Sequence, residues 1–478
     1  MLLILLTVSD RFRWVYCQLD TLRRCFPSSI RKTLKELPET LDETYERTLE
    51  EISKEKTKHA HRLFQCLVAA IRPLCVEELA EVFAIEFDQD AARNLMQSWR
   101  PENPEEAVLS ACSTLITVID DDEGSKIVQF SHFSVKEFLT SDRLRTSEVE
   151  NIRHYYIPLN AAHTILARAC LTVLLQLDEK IDKKRLATFP LAFYAAQHWF
   201  NHAQYEDVEP RVQDAMEELF NPSKPYLASW VWIHDVNQDR KTIDRLPDHP
   251  SVPEATSLYY AISCGLCGLA KFLISTRGED VNAECGHRGT PLFAASYWGH
   301  INAVSLLLDH GADVNITNEG WTPPLWAAYY GRHMDVMRLL LERGAAPDVE
   351  YDAHGLIIHD ASCIGQAEAI RLLLQHKADL NATSTSNWTP LHWGYNHANV
   401  VQILLDHGAN INAISTSGQT PLFLASKYGY VEVVRLLLAR GADVHIRTED
   451  SQTPFQVATS NNHTHIAQLL LEHGAEKE

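Results

Sequence analysis

The sequence predicts a mainly α-helical protein in which an N-terminal helical region precedes a solenoid of repeated helix pairs. The first observation is a stretch from Gly289 to Asn315 that recurs in close copies to the C-terminus. Its proline returns at Pro291, Pro324, Pro390, Pro421 and Pro454, with spacings of 33, 66, 31 and 33 residues. Such a period is typical of solenoids, in which each unit buries one face against its neighbours. The second observation is that one hairpin pattern interrupts the helical periodicity of the N-terminal half.

Each copy predicts two short helices followed by an extended finger. Thr290 is placed to cap the first helix, and Pro291 takes its first position, where a missing N–H has no cost. Gly299 ends this helix, and Gly311 ends a second helix that carries three consecutive leucines for the core. The unit resembles the ankyrin repeat, whose motif T-P-L-H-x-A-A-x-x-G-H occurs here as TPLFAASYWGH, TPLHWGYNH and TPLFLASKYGY.

The resemblance implies an α-solenoid of about seven ankyrin repeats in residues 253–478. Six copies are clear between Thr290 and Ala475, and a weaker leading copy runs from Leu258 to Ile274. Ankyrin stacks bind proteins through their fingers and the concave face formed by the first helices. We therefore expect a protein partner to contact the residues that end those helices, namely Tyr297, Trp298, Tyr330, Tyr395, Lys427 and Tyr428. The alternative interpretation is that these rings only pack between neighbouring repeats.

Two copies depart from the pattern. The copy between Thr389 and Leu405 is two residues short, so its first helix is expected to be clipped. The copy that begins at Leu356 has Ile357 and Ile358 where Pro-Leu is expected, and Lys377 where glycine is expected. We expect both copies to weaken the stack locally, because the stability of a solenoid sums repeat and interface contributions.

Composition and charge narrow the possible partners. Residues 1–250 hold 30 Lys+Arg and 40 Asp+Glu, and residues 251–478 hold 13 and 23, so each part has a net charge of −10. Neither part has the positive face that a phosphate backbone requires, so nucleic acid is not an expected partner. The apolar stretch MLLILLTV at the N-terminus is too short to span a bilayer, so no membrane association is expected.

Candidate metal ligands have a simpler structural interpretation. The 10 cysteines are scattered singly except for Cys264 and Cys267, which favours a reducing, cytoplasmic location over a disulfide framework. In register with the repeats, those two residues fall in a helix turn and are expected to pack there. His198 and His202 share a helix face but have no third ligand nearby. We expect no metal, no cofactor and no catalytic group.

Residues 59–142 predict a winged-helix domain, because three helical segments precede a hairpin. The hairpin consists of ITVI and KIVQF, joined by a turn at Asp121–Ser125. The spacing of Ser134 and Glu137 predicts a capping box that opens the next helix. The three helical segments are Ala60–Arg72, Val76–Phe83 and Val108–Leu115.

Winged helices often bind DNA, so a DNA-binding function is an alternative. The third helix begins with Pro104, Glu105 and Glu106 and has no Lys or Arg before Leu115. The predicted wing tip, Asp120–Glu123, is four consecutive carboxylates that would face phosphate. The sequence therefore favours a packing module over a DNA-binding one.

Several segments resemble those that follow the nucleotide-binding module in fungal NACHT–ankyrin proteins of the NOD-like receptor type. These segments are RFRWVYCQLDTLRRC, LPETLDETYERTLEEI, RPLCVEELAEVFAI, SHFSVKEFL and PLAFYAAQHWFNHAQ. The winged-helix part is also similar to one named for GPI inositol-deacylase. The resemblance implies a helical remnant of the NACHT module (1–58), a winged helix (59–142), a helical domain with a linker (143–252) and ankyrin repeats (253–478).

The chain lacks the NTPase core of that family. A Walker A loop needs glycines so that backbone N–H groups can approach phosphates, and residues 1–250 contain one glycine, Gly124. We therefore predict a non-catalytic protein–protein interaction scaffold, the sensor half of a NACHT–ankyrin signalling protein. The first alternative is a fragment of a signal-transducing NTPase whose P-loop lies on an N-terminal extension missing from this sequence. The second is the winged-helix DNA binder.

The stretch from Asn160 to about Arg240 is helical in pattern and rich in aromatic residues. We interpret it mainly as a core that joins the winged helix to the first repeat, with a recognition surface as the alternative. The charged, proline-containing segment Asp235–Thr256 is the candidate linker. The aromatic residues are Tyr194, Trp199, Phe200, Tyr226, Trp230 and Trp232.

Overall fold

The structure is a computed structural model that describes residues 40–87, 95–121, 124–236, 246–285, 289–316, 323–350, 355–384 and 386–476. It divides into two compact units, Met1–Tyr260 and Ala261–Glu478. Residues 1–39 of the predicted helical remnant (1–58) lie outside the described residues. Along the described residues, every helix is too short or too polar to reach across a bilayer.

The N-terminal unit consists of short helices and one small sheet. The first helices are α1 (Leu41–Glu50), α2 (Lys54–Ala69), α3 (Val76–Phe83), α4 (Pro104–Cys112), α5 (Phe133–Leu139), α6 (Asp142–Arg145) and α7 (Glu150–Arg153). The strands are β1 (Leu74–Cys75), β2 (Ile116–Asp120) and β3 (Lys126–Phe130). The later helices are α8 (Leu159–Leu174), α9 (Lys183–Leu186), α10 (Ala192–Ala203), α11 (Glu209–Leu219) and α12 (Tyr226–Ile233).

The sheet confirms the predicted winged-helix order. Strands β2 and β3 form the expected hairpin, with Ile116 opposite Phe130 and Asp120 opposite Lys126. Strand β1 pairs with the other edge of β3, so the sheet order is β1-β3-β2. Sequence analysis missed β1 because no alternation of polar and apolar residues can be recognised in a strand of two residues.

Helix α3 connects the winged helix to the later helices through a buried carboxylate. Its Val76, Leu79 and Ala80 are buried. Glu81 is 1% exposed, and its carboxylate accepts a hydrogen bond from the Leu191 backbone N–H at 2.7 Å and pairs with Arg100. Burial raises the pKa of Glu81, so these partners are what make its location tolerable.

The predicted capping box at Ser134 and Glu137 is wrong. Helix α5 begins two residues earlier than predicted, at Phe133, and its N-cap is His132, whose side chain accepts a hydrogen bond from the Ser134 backbone N–H. The Ser134 hydroxyl is instead bonded to His132 Nδ1 at 2.6 Å and to the Tyr45 hydroxyl at 2.9 Å. A tertiary contact with α1 therefore takes the group that the local pattern assigned to capping.

The aromatic-rich stretch forms the core of the later helices. Trp199 and Trp230 are fully buried with their ring centroids 5.5 Å apart, and Trp230 donates from Nε1 to the Ala196 carbonyl at 2.9 Å. The Trp232 indole N–H donates to the Pro247 carbonyl at 2.9 Å. This part of the predicted linker therefore packs onto α12.

The C-terminal unit continues from α13 (Ser257–Ser263), which crosses the boundary between the units, as seven helix pairs within the described residues. The first pairs are completed by α14 (Cys267–Ser275), α15 (Pro291–Trp298), α16 (Ile301–Asp309), α17 (Pro324–Tyr330), α18 (Met334–Glu342), α19 (Ile357–Ile364) and α20 (Ala367–Gln375). The last pairs are α21 (Pro390–Trp393) with α22 (Ala398–Asp406), α23 (Pro421–Tyr428) with α24 (Val431–Ala439) and α25 (Pro454–Ser460) with α26 (Thr464–Glu472).

The fingers are tied together by a ladder of side-chain hydrogen bonds. Asn282 Oδ1 accepts from the Asp313 backbone N–H at 2.8 Å, and Asn315 Oδ1 accepts from the Ala346 N–H at the same distance. The next step uses Asp348, whose two carboxylate oxygens accept from the Asp379 N–H at 3.0 and 3.1 Å. Each of these bonds joins one finger to the next along the stack.

The two irregular copies fold as helix pairs with local differences. Helix α21 has four residues, whereas α15 and α23 have eight, so the predicted clipping is confirmed. In the copy that begins at Leu356, Ile357 and Ile358 are fully buried. Lys377 adopts a φ of 66°, in the left-handed region where glycine is favoured.

Candidate partner-binding surface

The first helix of a repeat ends at a junction that recurs along the stack. The junction consists of the residue that ends the helix and the histidine that follows it. In α15, the Thr290 side chain caps the helix by accepting from the Phe293 N–H, and Gly299 ends it with a φ of 74°. The histidine that follows this glycine reaches the previous repeat. His300 Nε2 lies 3.2 Å from the Ser263 carbonyl oxygen, and His333 Nε2 lies 3.1 Å from that of Tyr297. Burial lowers the pKa of His300, so its ring stays neutral at pH 7 and can donate a single N–H.

This junction leaves the last side chains of the first helices on the surface. Within α15, Ala294, Ala295 and Ser296 are buried against the stack. Tyr297 and Trp298, which follow them, are 45% and 41% exposed. Tyr330, at the matching place in α17, is 43% exposed. We call Tyr297, Trp298 and Tyr330 the Trp298 patch.

The remaining predicted residues form a second group around the clipped repeat. The ring of Tyr395 lies 5.2 Å from that of Tyr428 and 5.6 Å from that of Tyr430, measured between centroids. The Lys427 ammonium lies 5.6 Å from the centroid of the Tyr428 ring. We call these four residues the Tyr395 cluster. The structure thus separates the six predicted residues into two groups.

The two groups differ in what their rings contact. Tyr297 contacts Phe293, at 6.0 Å between ring centroids, and Trp298, at 5.2 Å, and all three belong to α15. In the Tyr395 cluster the ring contacts cross from one repeat to the next. The interpretation that the rings pack between repeats therefore fits the Tyr395 cluster, whereas Tyr297 and Trp298 present exposed faces without such a contact among the described residues.

Sequence analysis missed two exposed residues, Ile364 outside these groups and Tyr430 within the Tyr395 cluster. Ile364 precedes Gly365 as Trp298 precedes Gly299, and it is exposed. A prediction based on aromatic residues does not include Ile364, although the register of the repeats identifies its position. Tyr430 is also exposed and takes the place of the junction histidine, as the alignment of TPLFLASKYGY with TPLFAASYWGH shows.

Two of the candidate metal ligands, Cys264 and His202, are buried side chains. Cys264 is buried, and burial raises the pKa of its thiol. His202 is fully buried, and its two ring nitrogens lie 2.8 Å from His163 Nδ1 and 2.9 Å from the Tyr194 hydroxyl. Burial lowers the pKa of His202 to about 3, with His163 as the next cause. The part of the chain that the structure describes contains no group of three or more potential metal-ligating side chains.

The winged helix presents acidic groups where a DNA-binding domain would need cations. Glu105 and Glu106 lie in the first turn of α4, and the Glu105 carboxylate pairs with Lys126 at 2.6 Å. Lys126, at the start of β3, is therefore neutralised by α4 itself. The expectation that this domain does not bind nucleic acid stays a prediction.

Comparison with known proteins finds family matches for two parts of the chain. Residues 258–351, 350–415 and 413–478 match a family model described as ankyrin repeats. Residues 45–150 match a model described as the winged helix domain of GPI inositol-deacylase. A protein of Monascus ruber, "Azaphilone pigments biosynthesis cluster protein L", is 30% identical over 291 residues, which cover 58% of this chain and 60% of that protein. The chain thus spans about three fifths of this relative.

Two solved structures of ankyrin repeat domains are similar to the chain. That of human ASB11 is 27% identical and matches with a TM-score of 0.40, covering 46% of this chain and 99% of the other. One from Acinetobacter baumannii AYE is 27% identical, with a TM-score of 0.38, covering 39% and 98%. On the family matches and the fold described above, the chain contains ankyrin repeats, which indicate a protein-interaction scaffold, preceded by a winged helix domain of the GPI inositol-deacylase type.

Proposed function

We propose that the chain recognises a protein partner through the concave face and fingers of its ankyrin stack, with the Trp298 patch as the main contact. The observation that carries this proposal is the exposure of three large rings at the ends of α15 and α17. Aromatic side chains are enriched among the residues that dominate binding energy at protein interfaces. A ring that already lies on a rigid helix also loses little conformational freedom on binding.

Site-specific photo-crosslinking tests this proposal. The full chain would carry a benzoylphenylalanine in place of Trp298, and a matched variant would carry it in place of Trp99, which is 51% exposed on the N-terminal unit. We expect crosslinked partners that form at position 298 and are absent at position 99. If both positions give the same products with equal yield, the Trp298 patch is not a recognition surface.

We further propose that this recognition serves a cytoplasmic NACHT–ankyrin signalling protein of a fungus, in which the chain is non-catalytic. Three features support this role: the order of winged helix, helical region and ankyrin repeats, the segments that resemble that family, and the relative from a fungus. The single glycine among residues 1–250 supports a chain without its own phosphate-binding loop. Calorimetry with ATP and GTP should detect no binding, and a saturable micromolar affinity would contradict the non-catalytic role.

A further inference from the structure

We propose that the partner of the Trp298 patch is a positively charged segment of a protein, whose arginine or lysine side chains stack on Tyr297 and Trp298. This inference rests on the proposed function and adds the chemistry of the partner. A cation over the face of a tryptophan or tyrosine ring is attracted by the negative charge of that face, and tryptophan gives the strongest attraction.

Within the described part of the chain, no cation lies over the rings of Tyr297 and Trp298. Among the described residues, the cations found over aromatic rings stand over other rings, including Lys427 over Tyr428 in the Tyr395 cluster. The stack therefore already contains one tyrosine of this surface paired with a lysine. Tyr297 and Trp298 offer the same kind of ring to a cation from outside.

Two cations of the stack are paired on its second helices. Arg343, next to the end of α18, bonds to Asp309 of the preceding repeat at 2.8 Å, and Arg440, next to the end of α24, bonds to Asp406 at 2.9 Å. In each pair, an aspartate at the end of the preceding repeat's second helix balances the charge of the arginine. A cationic partner therefore meets a balanced charge, and not an unpaired arginine, at these two positions.

The charge of the repeats favours the same partner. Residues 251–478 hold 13 Lys+Arg and 23 Asp+Glu, a net charge of −10. On the fingers, Glu350, Glu449 and Asp450 are exposed. Complementary charge accelerates association and suppresses partners of the wrong sign. Arginine should bind better than lysine, because its planar guanidinium stacks on aromatic rings and is more weakly hydrated.

The test uses the full chain and fluorescein-labelled peptides in which glycine alternates with arginine, lysine or glutamate over twelve residues. Fluorescence anisotropy should show binding in the order arginine, lysine, glutamate, with affinity for the arginine peptide falling about tenfold between low and high salt. Tyr297→Ala with Trp298→Ala should weaken arginine-peptide binding about tenfold or more. Trp99→Ala, which removes an exposed ring from the N-terminal unit, should leave it unchanged.

Several results would overturn the inference: no binding of the arginine peptide, equal binding of the glutamate peptide, or an equal loss with Trp99→Ala. A random-peptide display selection on the full chain separates this inference from the proposed function. Peptides that need Tyr297 and Trp298 but lack arginine and lysine would overturn the basic partner and leave protein recognition standing. A selection that gives no peptide dependent on these rings would overturn both. Circular dichroism melts confirm that each variant is folded.

Discussion

The Trp298 patch and the Tyr395 cluster place similar side chains at matching positions in their repeats, yet their rings have different neighbours. Tyr395 and Tyr428 occupy the register position of Trp298, and they lie 5.2 Å apart across a repeat boundary. The position that follows Trp298 by one repeat is Gly331, which offers no side chain. Ring chemistry alone therefore does not decide whether such a residue packs or binds. The neighbouring repeat decides it.

The largest expected effect concerns the junction beside the Trp298 patch. Gly299→Ala should lower the free energy of unfolding by about 2–4 kcal/mol, because alanine is strained at a φ of 74° and its Cβ would overlap the imidazole of His333. Gly311→Ala is the matched control, since Gly311 has a φ of 87° and no neighbouring atom within 4 Å of an added Cβ. Urea titration of both variants measures the difference. Equal losses would show that His333 does not make this junction tight.

The next effect separates the two groups of rings. Tyr297→Ala with Trp298→Ala should weaken binding of a partner or of the arginine peptide by about 2 kcal/mol, roughly thirtyfold, with little change in melting temperature. Tyr395→Ala with Tyr428→Ala should instead cost about 1–2 kcal/mol of stability, because contacts between repeats are lost. Melting temperature and affinity are measured side by side for both double variants. The proposed difference between the two groups would be wrong if the variant with Tyr297→Ala and Trp298→Ala lost stability while its affinity per folded molecule stayed unchanged.

A smaller effect should appear in local opening. We expect the repeats from Thr389 to Ala475 to open at a lower denaturant concentration than those from Thr290 to Gly344. Their free energy of opening should be lower by about 1–2 kcal/mol. Helix α21 has four residues, and within the described structure Trp393 Nε1 and Asn396 Oδ1 are buried without a hydrogen-bond partner. Native-state hydrogen exchange measures both blocks in one experiment. One uniform level of protection would show that the clipped repeat does not divide the stack.

Sequence analysis predicted the repeats well because their signals are local. The cap at Thr290, the helix end at Gly299 and the shortened helix at Thr389 all follow from residues that are adjacent in the chain. The errors have another origin. The function of the Ser134 hydroxyl is set by Tyr45, 89 residues away, and the division of the predicted surface depends on which rings meet across a repeat boundary. No period in the sequence reports such contacts.

The sequence predicts the domain boundaries of the N-terminal part less well than it predicts the repeats. The four-part division of the chain at residues 58, 142 and 252 stays a prediction. Buried Glu81 shows why it is difficult to draw such boundaries from sequence, because one carboxylate of the winged helix accepts the backbone N–H of Leu191 in the later helices. A contact of this kind, 110 residues apart, binds two predicted domains into one compact unit.

The smallest expected effect lies where the regular repeats meet the irregular ones, at Asp348 in the ladder of the fingers. Asn315, one repeat earlier, both accepts from the Ala346 N–H and donates from Nδ2 to the Gly344 carbonyl at 3.0 Å. Asp348 accepts from the Asp379 N–H but has no proton to donate to the matching carbonyl of Lys377. Asp348→Asn should therefore stabilise the protein by about 0.5–1 kcal/mol at pH 7.

The pH dependence of the stability gained by Asp348→Asn serves as the control for this prediction. Burial raises the pKa of Asp348, with the nearby Asp379 carboxylate also raising it, so the folded protein binds a proton here more readily than the unfolded chain. Wild-type stability at this site therefore falls as pH rises through the raised pKa, and it recovers as pH falls. The advantage of Asp348→Asn should be largest at pH 7 and shrink toward about pH 4. Paired urea titrations at the two pH values measure it, with Asn315→Asp expected to lose stability at pH 7. A gain for Asp348→Asn that is the same at both pH values would show that the charge of Asp348 is not what weakens this step of the ladder.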